Sequence, residues 1–271
     1  MKLVIVLFFI FTSNQSFAAD IRSYFLGSKE PKKINSVYTK TNFFVGHSLT
    51  QTSYTLPEGK WMLGTFALGY GLTDDVTLGT SPWLLTLYNM PNVMLRMKKA
   101  LSTSTAVGAH IGYMKTQEYL QNFYKMEAAY GNLIFSHVFS KNLRTHIQLN
   151  AMYFKDDERP FSIRVENPTT PLQVSLSAVN EIIAYKKASV EYGLGLEVGA
   201  LGINEELPYY HGGLSVYRKV KDLFIQVGLS VSATTNVSAS DFQYVSQGNL
   251  PEGDEFREIM THPEIQIQYY F

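Results

Sequence analysis

No cysteine occurs in the 271 residues. Its absence excludes a disulfide framework, a thiolate nucleophile, a cysteine-ligated metal and a cysteine-linked lipid anchor. Charge is scarce too. Asp, Glu, Lys and Arg make up 17% of the chain, against about a quarter in soluble domains. The charges sum to zero, so the basic excess that binds phosphate backbones is missing. No nucleic-acid partner is expected. Trp occurs only twice, whereas Tyr and Phe contribute 18 and 17 residues. Few charges with many Tyr and Phe suit strands that meet lipid.

Long apolar runs are also absent. The longest, Leu3 to Phe11, follows Met1-Lys2 and precedes a polar stretch ending in Ser16-Phe17-Ala18. A spanning helix needs about 20 apolar residues. The layout is instead that of a secretory signal peptide, with cleavage expected after Ala18 or Ala19. An exported chain without a spanning helix is either soluble or a closed barrel, because lipid offers backbone groups no hydrogen-bond partners.

What is present is strict alternation. In 143–153, Leu143, Thr145, Ile147, Leu149, Ala151 and Tyr153 share one face, opposite Arg144, His146, Gln148, Asn150 and Met152. In 190–200, Val190 through Ala200 oppose Glu191, Gly193, Gly195, Glu197 and Gly199. In 223–232, Leu223, Ile225, Val227, Leu229 and Val231 oppose Phe224, Gln226, Gly228, Ser230 and Ser232. In 264–271, Ile265, Ile267, Tyr269 and Phe271 oppose Glu264, Gln266, Gln268 and Tyr270. Period-two runs of roughly ten residues match strands that cross a bilayer at a tilt.

Strands are expected at 43–55, 60–72, 76–86, 91–99, 103–116, 125–139, 143–155, 172–182, 186–202, 207–219, 223–234 and 261–271. The implied fold is all-β, a transmembrane antiparallel β-barrel of about 12 strands, with 10 to 14 compatible. The connections sort by parity. The even ones are short, as at Thr73-Asp74-Asp75, Ser140-Lys141-Asn142, a link near Tyr185, and Val220-Lys221-Asp222. The longest odd ones are 156–171 and 235–260. Short turns on one side and long loops on the other mark outer-membrane barrels. The first odd connection, Pro57-Glu58-Gly59, is an exception. Gly69 and Gly71 flank Tyr70 in a glycine-rich hairpin, which suits curvature better than a phosphate loop, since no helix follows.

Catalysis is not expected. His47 and Ser48 are adjacent, and neighbours on a strand point to opposite faces. His110, His137, His146, His211 and His262 show no metal-ligand spacing. Acidic residues in the long loops (Asp156-Asp157-Glu158; Glu252, Asp254, Glu255 and Glu258) lack a fixed ligand spacing and read as solvated charge. No cofactor and no metal are expected. With the apolar sets facing lipid, the lumen-lining candidates are Arg96, Lys98, Arg144, His146, Gln148, Asn150, Glu191, Glu197, Gln226, Gln266 and Gln268. Their mixed charge suits a narrow wet channel or a salt-bridged interior. Phe43-Phe44, Tyr153-Phe154, Tyr209-Tyr210 and Tyr269-Tyr270 fit interfacial girdles. The run 81–88, apolar on both faces, fits a subunit contact or a membrane-lying piece.

The terminal stretch Pro263-Glu-Ile-Gln-Ile-Gln-Tyr-Tyr-Phe271 resembles the last strand of bacterial outer-membrane β-barrels. There the final residue is usually aromatic, with apolar residues at alternate preceding positions, here Ile265, Ile267 and Tyr269. The resemblance implies an outer-membrane location, outer-membrane lipid as surroundings, and recognition of Phe271 and these residues by the barrel assembly machinery. The N-terminal layout and the strand pattern order the chain as a signal peptide 1–18, a periplasmic segment 19–42 and a barrel 43–271. The expected activity is a non-enzymatic, porin-like channel or small-solute-binding barrel, as a monomer or homo-oligomer. The alternatives are a structural or lipid-organising barrel and a lipid hydrolase, although no stretch matches the motifs of outer-membrane phospholipases.

Overall fold

A computed structural model describes residues 50–65, 67–87, 90–115, 127–155, 171–187, 190–204, 208–234 and 259–271. All of them belong to one compact unit, Ser36–Phe271. The signal-peptide residues, the 19–42 segment, Phe43-Phe44, His47-Ser48 and the acidic loop residues named above lie outside the described set.

Twelve strands form a closed antiparallel barrel: β1 Trp61–Gly64, β2 Leu68–Thr73, β3 Val76–Thr80, β4 Asn92–Ala100, β5 Thr105–Lys115, β6 Glu127–Ser140, β7 Leu143–Phe154, β8 Leu172–Lys187, β9 Val190–Leu201, β10 Tyr209–Val220, β11 Leu223–Thr234 and β12 Ile259–Tyr270. Each pairs with its sequence neighbours. The ring closes where β12 pairs with β1, with Met62 opposite Tyr270 and Gly64 opposite Gln268. Trp61 N–H donates to the Phe271 carbonyl at 2.9 Å, and Phe271 N–H returns a bond to Trp61 at 3.0 Å. β12 is thus bonded on both flanks at this end, where an edge strand would otherwise present unpaired groups.

Two expected strands are corrected. The stretch 43–55 is not the first wall strand: its described part, 50–55, lies inside the barrel. The expected strand 60–72 is two strands, β1 and β2, broken at residues 65–67. The losses and gains cancel, so the count stays at twelve. The run 76–86 also ends early. At Thr80 the chain leaves the sheet and forms a short helix, α1, Pro82–Leu87. Pro82 sits at its first position, where a missing N–H costs nothing, and the Ser81 hydroxyl accepts from Leu84 N–H at 3.4 Å. The link expected near Tyr185 lies instead at 188–189.

The parity of the connections carries over. β2–β3, β6–β7, β8–β9 and β10–β11 join through two residues each, and β4–β5 through four. Apart from 65–67, the odd connections are longer. The barrel therefore has a short-turn end, where Trp61 and Phe271 meet, and a long-loop end.

Polarity is inverted relative to a soluble protein. Outward positions are apolar and open: Leu133 is 64% exposed and Val198 63%. Leu149, Leu196, Leu214, Val227, Ile265 and Ile267 share that surface. Inward positions are polar and buried, among them Arg144, His146, Glu181, Glu191 and Gln226. The aromatic pairs split between the two sides. Tyr153 and Tyr269 face outward, but Phe154 and Tyr270 are buried inward. Adjacent strand residues cannot share a face, so each of these two pairs gives one girdle residue and one interior residue.

Candidate functional site

The site is assembled inside the lumen by residues 50–57 together with the inward side chains of the wall. Thr50, Thr52, Ser53, Tyr54, Thr55 and Leu56 are all essentially inaccessible to solvent. Polar groups buried this deeply need partners, and the wall supplies them. Thr50 N–H donates to Glu197 Oε1. Gln51 N–H donates to Gln148 Oε1 at 2.6 Å. The Arg96 guanidinium donates to the Gln51 side chain. Leu56 N–H donates to Thr77 Oγ1 at 2.8 Å, and Thr55 Oγ1 to the Asp74 carbonyl at 2.8 Å. The segment thus bonds to four strands and to the β2–β3 turn, and climbs from the turn at Asp74 and Asp75 toward mid-barrel.

At the short-turn end this segment closes the lumen. Tyr54 and Leu56 pack with Met62, Ala106, Tyr217, Phe224 and Tyr270 into an apolar cluster. Around Tyr54 runs a buried ion network. Arg144 lies 3.4 Å from Glu191 and 3.6 Å from Glu181. Lys186 reaches Glu191 at 2.9 Å. Tyr54 donates to Glu181 at 3.1 Å and accepts from Arg144 at 3.3 Å. Tyr217 donates to Glu191 at 3.2 Å. His146 approaches Glu181 at 3.6 Å and bonds Ser136 at 2.6 Å. Removal of charge from water is offset only where geometry and hydrogen bonds are dense, and here each carboxylate has several partners. The inward glycines of β9 make this possible, because the Tyr217 ring lies directly over Gly193.

Toward the long-loop end the lumen opens into a cavity of about 280 Å³. Arg96, His110, Asn132, Gln148, Asn150, Gln266 and Gln268 line it, with Gln51 on its floor. Four of these form one belt across adjacent strands: Arg96 opposite His110, His110 opposite Asn132, and Asn132 opposite Asn150. The lining holds a guanidinium, an imidazole and many amides, and no carboxylate among the described residues. Leu84 and Met90, from the β3–β4 connection, pack on inward Ala128 and Phe154 at the same end.

The residues singled out from sequence therefore fall into separate groups. Arg96, Gln148, Asn150, Gln266 and Gln268 line the cavity. Arg144, His146 and Glu191 belong to the ion network. Lys98 pairs with Asp75 at 3.6 Å and donates to the Asp74 carbonyl at 3.1 Å, at the short-turn end. Glu197 holds Thr50, and Gln226 is fully buried. Ile265, Ile267, Tyr269 and Phe271 all face outward. Sequence reasoning missed Glu181, Asn132, Tyr217 and the lumenal segment. Glu181 was accessible to it, since it shares a face of β8 with Gln173, Ser175 and Ser177.

Fold and site together define a twelve-stranded barrel that carries part of its own chain in the lumen. No protein-family model matches the sequence, and no curated protein sequence matches it. Among solved structures, a bacterial polysaccharide outer membrane secretin is similar at 9% identity and a TM-score of 0.42. That likeness covers 76% of this chain and 69% of the other.

Proposed function

We propose that this chain is an outer-membrane barrel that binds small polar solutes, acidic or hydroxylated, in its lumen, without enzymatic chemistry. The observation that carries this reading is a cavity above a closed floor whose lining offers a guanidinium, an imidazole and amides, with no carboxylate among the described residues. Arg96 supplies positive charge, and the amides of Gln148, Asn150 and Gln266 can donate and accept. Membrane embedding is supported by the apolar exterior, on which Leu, Val and Ile side chains are exposed on most strands, an arrangement that soluble monomers rarely show. The outward stripe ending at Phe271 supports delivery through the barrel assembly machinery.

Two measurements test this. Leu133 sits near the middle of β6 on the outer face. Leu133→Arg is expected to destabilise the lipid-folded barrel by about 2–4 kcal/mol, the cost of a cation near the bilayer midplane. Denaturant unfolding in vesicles measures it, and a change near zero would argue against lipid contact there. In planar bilayers the intact chain should show little or no steady conductance, because residues 54–57 block the short-turn end. A large, stable open conductance would contradict the closed floor and favour a free-running porin.

A further inference from the structure

β9, β10 and β12 bring three more lumenal side chains together, apart from the cavity lining. They are Glu197, His211 and Glu264, whose ligand atoms all lie within 4.8 Å of one another. His211 Nε2 is 3.4 Å from Glu197 Oε2, with both side chains 2% exposed. The other ring nitrogen, Nδ1, is bonded to Ser232 Oγ at 3.0 Å. A partner on one imidazole nitrogen fixes the ring and leaves the second nitrogen directed at a ligand. Neither His211 Nε2 nor Glu264 Oε1 has a hydrogen-bond partner among the described residues, although both atoms are buried. Glu197 is divided by its two oxygens: Oε1 accepts from Thr50 N–H, and Oε2 faces His211.

Space for an ion exists where these groups meet. Gly213 stands opposite Glu197 in the β9–β10 register. A Cβ there would lie 3.5 Å from Glu197 Oε2 and 3.7 Å from His211 Nε2. Glycine keeps that volume clear. A buried carboxylate, Glu197, and a half-buried one, Glu264, beside an imidazole also concentrate negative charge, which a cation neutralises.

We infer that Glu197, His211 and Glu264 bind a divalent cation of the Zn²⁺ class. Tetrahedral ligands with bonds of about 2.0–2.1 Å stand roughly 3.4 Å apart. The His211–Glu197 separation already meets that spacing, and rotation of the Glu264 side chain completes it. Imidazole with carboxylate selects Zn²⁺ or a similar transition ion over Ca²⁺ and Mg²⁺, which prefer oxygen ligands alone. Three protein ligands leave a fourth position for water or a solute group. Because Glu197 also holds Thr50, the ion ties the barrel wall to the segment in the lumen. The three ligands are scattered along the sequence and match no short motif.

The test is titration of the folded full chain in detergent with Zn²⁺, by calorimetry, and with Co²⁺, by visible absorption. One equivalent is expected to bind. His211→Gln and Glu264→Gln should each weaken binding at least a hundredfold, while His137→Gln, on the outer surface, should leave it unchanged. Ser232→Ala keeps every ligand and should cost about tenfold. It decides the matter if the ligand variants fail to fold. Absence of stoichiometric binding overturns the assignment, as does affinity indifferent to His211 and Glu264, or to Ser232. The readout needs no solute, so its outcome is independent of the proposed cavity function.

Discussion

Arg144→Ala is expected to destabilise the barrel by about 3–5 kcal/mol, the usual cost of removing one partner from a buried charge network. Arg144 is 3% exposed and stands between Glu181 and Glu191, themselves almost fully buried. Its loss leaves two carboxylates where water cannot screen them, with Lys186 still beside Glu191. The measurement is denaturant unfolding in lipid. A sharper version adds Glu191→Gln to Arg144→Ala. If the cost is stranded charge, the double variant recovers part of the loss, because interacting residues are not additive. A double variant as unstable as the sum of the singles would show that packing, not charge, holds this region.

The second large effect concerns the floor. Tyr54→Ala with Leu56→Ala is expected to raise single-channel conductance severalfold over the nearly silent intact chain. Both side chains are fully buried among Met62, Phe224 and Tyr270. Each truncation leaves a void, and losses of this kind cost about 2–5 kcal/mol per residue. Tyr54 also surrenders its bonds to Arg144 and Glu181. The lumenal segment is therefore loosened where it seals the short-turn end. Conductance unchanged in a correctly folded double variant would place the barrier elsewhere, for instance where Leu84 and Met90 pack at the long-loop end.

How far the fold was legible follows from the range of each signal. The outward and inward faces of β7, β9, β11 and β12 were readable because period-two alternation is local. The sorting of turns and loops was readable because strand ends are marked along the chain. Residues 50–55, within the expected strand 43–55, were misread for the same reason. Thr50, Thr52, Tyr54 and Leu56 alternate with Gln51, Ser53 and Thr55, as a wall strand would. Pattern reports that a chain is extended between two environments. It does not report whether backbone partners come from a neighbouring strand or from side chains such as Thr77 and Gln148.

The candidate sites show the same divide. By itself the sequence determined that the interior would be polar and the exterior apolar, and hence which residues were candidates to line the lumen. Only the closed barrel decided that Arg96 and Asn150 would border a cavity, that Arg144 would be locked between Glu181 and Glu191, and that Glu197 would meet His211 and Glu264. Strands in a closed barrel are tilted and staggered. Residues distant in sequence are thereby set at one height, a relation that no window along the chain contains. The lumenal segment was decided at the same level. Its burial stabilises the protein only once the wall surrounds it and satisfies each polar group it carries.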